Sequence, residues 1–162
     1  MKVLKSSAQE YDSHLSIMRR TFPADSAQYN STNIQHEKKQ TLKKLRNILP
    51  KGQKTPNQYF YTIFQEETRI GYLWLTKQNN RHLFISNIYL FASYRSKGFG
   101  SRIMKWIESK AQRMKCTEVR LHVFGHNKRA IDFYDRCGFD PTSINMRKRI
   151  SDDFVTRFFR SR

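Results

Sequence analysis

Apolar positions near the start of the chain recur every three or four places: Tyr11, Leu15, Met18 and Phe22, then Ile34, Leu42, Leu45 and Leu49. That spacing lays each set along one side of an α-helix. Ser7 and Glu10 in "SAQE" have the reciprocal form of a capping box, so the first helix opens there, and Pro23 is expected to close it. "TNIQ" at 32–35 offers a cap for the second helix. The lysines of "HEKKQTLKKLR" take its other side, and Pro50 ends it before the loop "PKGQKTPNQ".

Past this loop the period shortens. "YFYTIFQ" and "RIGYLWLT" are rich in aromatic and β-branched residues, and "EET" between them reads as a hairpin turn. After a second turn, "QNNR", the segment "HLFISNIYLF" is apolar on both faces, as a central strand covered from both sides would be. From Gly100 the helical interval returns at Ile103, Met104, Ile107 and Ala111. "EVRLHVF" is a further strand, 127–136 a helix stopped by Gly138, and "SINMRKRI" a last strand. "SDDFVTRFFRSR" carries a Ser151 cap with Phe154 and Phe158 four apart, the pattern of a short amphipathic helix. The expected order is ααβββαβαβ, a mixed α/β (α+β) fold in one domain spanning 1–162.

Charge adds a partner class to this picture. Thirty-one Lys and Arg against thirteen Asp and Glu give a net charge of +18, which attracts polyanions or an anionic ligand and is otherwise a solvated basic surface. Apolar residues at 38% and aromatic residues at 14% exclude a disordered basic tail. "MKVLKSSAQEYDSH" lacks an apolar stretch of signal-peptide length and nowhere do 18 apolar residues run together, so a soluble cytoplasmic protein without membrane contact is expected. Cys116 and Cys137 have no metal-ligand spacing and read as reduced thiols, with no metal and no disulfide framework.

Candidate chemistry centres on "YRSKGFGSRIMKWIE" at 94–108, where Gly98 and Gly100 stand among Arg95, Lys97 and Arg102 between an apolar strand and a helix start. A helix N-terminus offers unpaired N–H groups and partial positive charge, and glycines let the backbone approach an anion. The spacing matches neither the G-x-x-x-x-G-K of a nucleoside triphosphate loop nor the three-glycine dinucleotide fingerprint. By itself it is equally a tight strand-to-helix turn.

The run R-S-K-G-F-G from Arg95 resembles the R/Q-x-x-G-x-G/A motif of the GNAT superfamily of acyl-CoA-dependent N-acetyltransferases. "VFGHNKRAIDFYDRCGF" at 123–139 is similar to that family's second signature: Asn127, Ala130 three on, Tyr134 four further, then Gly138 and Phe139. The resemblance spans about 59–150 and implies a mixed, mostly antiparallel sheet with acetyl-CoA in a splay between the strand ending near Leu90 and the strand of Leu121. It implies that backbone groups of Ile88, Tyr89 and Leu90 hold the pantetheine arm. The amides of Arg95, Ser96, Lys97, Gly98, Phe99, Gly100 and Ser101 would hold the pyrophosphate, and Asn127 would reach the cofactor from the next helix start.

Acyl transfer sets its own requirements. A primary amine attacks a thioester only when neutral, and with a free lysine pKa of about 10.4 little neutral amine exists at pH 7, so a base must take the proton. The resemblance implies that Tyr134 protonates the departing thiolate, a role a phenol can fill, as against a tyrosine packed only by its ring. Bacterial ribosomal-protein N-terminal acetyltransferases, which the second motif resembles, often carry a glutamate where this chain has His122. Imidazole titrates near neutrality and can act as the base, directly or through water. His122 equally suits a plain strand residue. Ser86 and Asn87 supply no carboxylate, which leaves a water relay open, and Glu66 and Glu67 in the hairpin turn are expected to be solvated. The expected activity is acetyl transfer from acetyl-CoA to the primary amine of a small molecule or protein, by direct attack in a ternary complex of a monomer or homodimer. The alternative is a basic GNAT-like module that binds RNA or ribosome with a vestigial acyl-CoA site.

Overall fold

The computed structural model describes residues 1–30, 33–79 and 81–148. In chain order they form β1 (Lys2–Lys5), α1 (Ala8–Asn30), α2 (Ile34–Ile48), β2 (Gln58–Gln65), β3 (Thr68–Gln78), β4 (His82–Leu90), α3 (Phe99–Arg113), β5 (Glu118–Leu121) and α4 (Lys128–Arg136). The strands build one sheet in the order β1-β2-β3-β4-β5, antiparallel except for the parallel pair β4 and β5. The mixed, mostly antiparallel sheet between helices is the architecture expected.

Each face of the sheet is sealed by helices whose apolar side the sequence pattern supplies. On one face Ile103, Met104, Ile107 and Ala111 of α3 pack against Leu73, Leu75, Leu83 and Ile85. On the other Tyr11, Leu15 and Met18 of α1, with Leu45 and Leu49, pack against Phe60 and Trp74. Strand β3 is the fully covered one, buried without a break from Ile70 to Leu75.

Several elements depart from the sequence reading. β1 was not expected; it is a four-residue edge strand whose pattern is too short for a period to show. The capping box at Ser7 and Glu10 forms as expected, with bonds of 2.7 and 3.3 Å, but α1 runs through Pro23 to Asn30. A proline inside a helix costs about 3 kcal/mol. Here Pro23 is fully buried, and the next two turns are tied to α2, where buried Glu37 accepts from Ser26 Oγ at 2.6 Å and Asn30 Nδ2 at 3.0 Å. That tie also sets the rotation of α2. Glu37, Thr41, Leu45 and Leu49 face inward, leaving Ile34 49% and Leu42 39% exposed, against expectation. Asn33, whose Oδ1 accepts from the Gln35 amide at 2.7 Å, caps α2, and Thr32 lies outside the described residues.

The segment 82–91 is not covered on both sides. β4 pairs with β5 only from His82–Glu118 to Ile85–Leu121, and the rest of the strand is half-buried. β5 stops at Leu121, so His122 lies beyond the strand. Residues 143–148 form no strand; Ile144 is 78% and Met146 87% exposed, because alternation alone supplies no neighbouring edge to pair with. Residues 149–162, with the expected terminal helix, lie outside the described residues. The observed order is thus βααβββαβα among the described residues.

Candidate active site

The early end of β5 opens the sheet. From Ser86 to Leu90, β4 bonds to β3 on one side only, pairing Asn87 with Trp74, Ile88 with Leu73, Tyr89 with Tyr72 and Leu90 with Gly71. The register skips Ser86, a β-bulge that aims Ser86 and Asn87 to the same side of the sheet. Ile88 and Leu90 turn to the α3 face, where they pack on the core. The Leu90 carbonyl is already engaged, accepting from Arg95 Nε at 2.9 Å, while the Arg95 guanidinium covers the Tyr89 ring at 5.5 Å.

Beyond β4 a short turn (Ala92–Tyr94) leads to the glycine loop. Ser96 and Gly98 both adopt positive φ, 58° and 77°, which turns the chain tightly into the start of α3. Gly98 is the N-cap of α3 and offers no side-chain bond to it, and the first turn holds no acidic residue. The amides of Phe99, Gly100 and Ser101 therefore remain donors at a positive helix end. Lys97 and Arg102 are exposed beside them. Arg129, from α4, donates to Ser96 Oγ at 2.5 Å and adds a cation that the sequence reading missed. Gly100 has a packing role: a Cβ there would lie 3.0 Å from the Phe133 ring.

Asn127 caps α4, its Oδ1 accepting from the Ala130 amide at 3.2 Å. That helix presents Tyr134 against the α3-side core, its ring meeting Phe133 at 5.3 Å and Phe139 at 5.6 Å. Burial, with the Cys137 thiol beside it, pushes Tyr134 above its ordinary pKa of 10, so the phenol stays protonated at neutral pH. Its hydroxyl bonds no protein group among the described residues and is not sealed from solvent. His122 is exposed, its ring edge-on to Phe124 at 5.3 Å, and Phe124 in turn approaches Phe22 of α1 at 6.1 Å. Glu67 pairs with Lys2 at 3.4 Å in the exposed hairpin, as a solvated carboxylate would.

One group under the open half of β4 escaped the sequence reading. His14 of α1 is fully buried, stacked on Tyr72 at 5.0 Å, with Nε2 2.8 Å from Asn87 Oδ1. Burial lowers its pKa to about 4, so it is neutral at physiological pH. The signal was present: position 14 completes the stripe 11, 14, 15 and 18, and a histidine on an apolar stripe needs a partner.

An open half-strand thus leads into a cation-flanked helix start whose first amides have no side-chain cap, the arrangement an acyltransferase would need for an anionic, extended ligand. Residues 15–139 match the acetyltransferase (GNAT) family, and the chain belongs to that family. It is 31% identical over 108 residues to the uncharacterized N-acetyltransferase YdgE of Bacillus subtilis (strain 168), covering 64% of this chain and 69% of that one. The crystal structure of the putative acetyltransferase YycN from Bacillus subtilis superimposes with a TM-score of 0.86 at 22% identity, covering 93% of this chain and 98% of that one. A thialysine N-epsilon-acetyltransferase of Bos taurus is 38% identical over 58 residues, 36% of this chain and 34% of its own. Among the described residues no helix is long and apolar enough to cross a membrane, and no group of three or more His, Cys, Asp and Glu could hold a metal ion.

Proposed function

We propose that the chain transfers an acetyl group from acetyl-CoA to a primary amine by direct attack. The observation that carries this reading is the continuity between the unpaired half of β4 and the unsatisfied amides at the start of α3. The first suits a pantetheine arm along Ile88 and Tyr89. The second suits a pyrophosphate held by the amides of 96–101, since the Arg95 amide is spent on the Ala92 carbonyl at 3.2 Å, with the Arg129 side chain added to those of Arg95 and Lys97. The engaged Leu90 carbonyl takes no part unless Arg95 swings away. Asn127 Oδ1 is spent on its own helix, so any contact with the cofactor falls to its amide nitrogen.

In the transfer the amine nitrogen bonds the thioester carbon and the carbon–sulfur bond breaks. The amine proton passes to His122 or to water, and the thiolate takes the Tyr134 proton. The products are an acetamide and free CoA. The phenol kept protonated by burial supports the donor role. The likeness to a thialysine N-epsilon-acetyltransferase makes amino acids with a terminal primary amine the first acceptors to try. The alternative of a basic binding module finds no support in the comparisons.

The test is acetyl-CoA titration by calorimetry together with CoA-thiol release against amino acids, polyamines, aminoglycosides and protein N-termini. One site per chain and turnover with one of these classes are expected. Gly98→Val should weaken binding: the added Cβ meets nothing within 4 Å, but φ of 77° strains any side chain there and the isopropyl group would stand where the anion approaches. No binding by the wild type, or equal binding by the variant, counts against the reading.

A further inference from the structure

The polar group under the open half of β4 is built to present one hydrogen-bond donor. His14 is neutral and has a single N–H to place. Its Nδ1 is buried with no partner among the described residues, while Nε2 lies 2.8 Å from Asn87 Oδ1. A buried orphan N–H is rarer than an orphan lone pair, so the proton sits on Nε2 and donates to Oδ1. Asn87 is thereby fixed with its NH2 turned away from α1. Among the described residues that nitrogen bonds no protein group and, unlike the His14 Nδ1, it is not sealed from solvent. The neighbouring Ser86 spends its proton on Thr76 Oγ1 at 2.6 Å, because Thr76 donates to Gln58 Oε1, and among the described residues no bond joins its oxygen to Asn87.

Position assigns the donor a target. Asn87 lies two residues past Ile85, where the ladder to β5 ends. A ligand with its anionic part at 95–101 that lies along Leu90, Tyr89 and Ile88, about 3.3 Å per residue, brings its far end to Asn87. On the reading above, that end is the thioester. We infer that Asn87 Nδ2 donates to the carbonyl oxygen of the transferred acyl group, with His14 as the positioning residue that holds the amide in that orientation. The carbonyl oxygen gains negative charge as the amine bonds its carbon and loses it as the carbon–sulfur bond breaks, so such a donor favours the transition state over the bound substrate.

The experiment follows the Asn87 side-chain NH2 resonances in the 15N-labelled full chain, identified by their loss in Asn87→Ala, during titration with acetyl-CoA and separately with CoA. Acetyl-CoA should shift the pair and CoA should leave it near its free position. In His14→Phe, which keeps a ring against Tyr72 but has no N–H, the difference should vanish, and His14→Gln, which can donate to Oδ1 again, should restore it. With any acceptor that turns over, Asn87→Ala should lower kcat by roughly the 10²-fold or more typical of one oxyanion donor while leaving the acetyl-CoA Kd unchanged. His14→Phe should lower kcat less, and His14→Gln should recover it. Acetyl-CoA that binds without moving the pair, or CoA that moves it equally, overturns this assignment alone. Acetyl-CoA that fails to bind the wild type overturns the proposed function and this inference with it. If His14→Phe does not fold, the wild-type comparison of the two ligands still decides.

Discussion

Burial moves the pKa of Tyr134 and of His14 in opposite directions and leaves both neutral at pH 7. Burial raises the Tyr134 pKa and keeps the phenol a proton donor. Tyr134→Phe keeps the ring contacts and deletes the hydroxyl, so acetyl-CoA affinity should persist while kcat falls by about 10²–10⁴, the usual range for general acid–base catalysis. Wild-type turnover with chemistry rate-limiting would remove the acid role. His122→Ala should lower kcat and leave acetyl-CoA affinity intact, and unchanged turnover assigns the base to water. For His14 the same burial has a consequence for stability. Its folded pKa of about 4 lies below the 6.5 of an unfolded histidine, so the unfolded chain binds the proton first. Stability from this group is complete above about pH 6.5 and is lost as pH falls from 6.5 towards 4, in total on the order of 3 kcal/mol. Urea unfolding at pH 7, 5.5 and 4 should show that decline in the wild type and a flatter one in His14→Gln; parallel declines would mean that His14 does not titrate between those limits.

Glycines act at the level of elements, by letting two backbones or a backbone and a ring approach. Gly71 of β3 lies opposite Leu90, and a Cβ there would stand 2.2 Å from the Tyr89 carbonyl oxygen. Gly71→Ala should therefore push β3 from the half of β4 that borders the cleft, destabilising the fold by about 1–3 kcal/mol, the range for overpacking, and weakening acetyl-CoA binding. An unchanged urea midpoint would show that the ladder yields without cost. Gly71 carries no motif, whereas Gly98 and Gly100 were visible because a spacing with chemical meaning frames them. The same contrast governs the rest of the chain. Strands β2 to β4 and helices α3 and α4 were legible from period and caps. β1, the inward turn of Glu37 and the continuation of α1 through Pro23 were not, since each depends on a partner distant in sequence: β1 on Phe64 to Tyr61, and Glu37 on Ser26 and Asn30. Of the candidate site, the place of the glycine loop at a helix start and of Tyr134 on α4 could be read directly. Arg129, the partner of His14 and the orientation of Asn87 needed the fold, because only the fold brings α1 to β4 and α4 to the glycine loop.

Across the whole molecule the net charge of +18 acts in two opposed ways that salt separates. Ion pairs join Lys2 to Glu67 and Arg120 to Glu118, while Lys38, Lys39, Lys43, Lys44 and Arg46 stand exposed on α2, with Leu42 beside them. Self-repulsion among such cations destabilises the compact state, so added salt should raise Tm by screening it. Attraction to a polyanion works through counterion release, so the same salt should weaken it steeply, with a slope set by the number of cations engaged. Acetyl-CoA held as proposed would meet only the few charges at the glycine loop and Arg129, and its affinity should fall less steeply than that of a polyanion. Heparin retention, Tm and calorimetric acetyl-CoA affinity measured from about 50 to 500 mM salt test all three. Replacing Lys43 and Lys44 by Gln should flatten the heparin slope and leave the acetyl-CoA Kd at each salt concentration unchanged, since α2 packs on α1 and supplies none of the cations at the glycine loop. A heparin slope untouched by that pair moves the polyanion contact off α2; a matching loss of acetyl-CoA affinity would mean that one field serves both ligands.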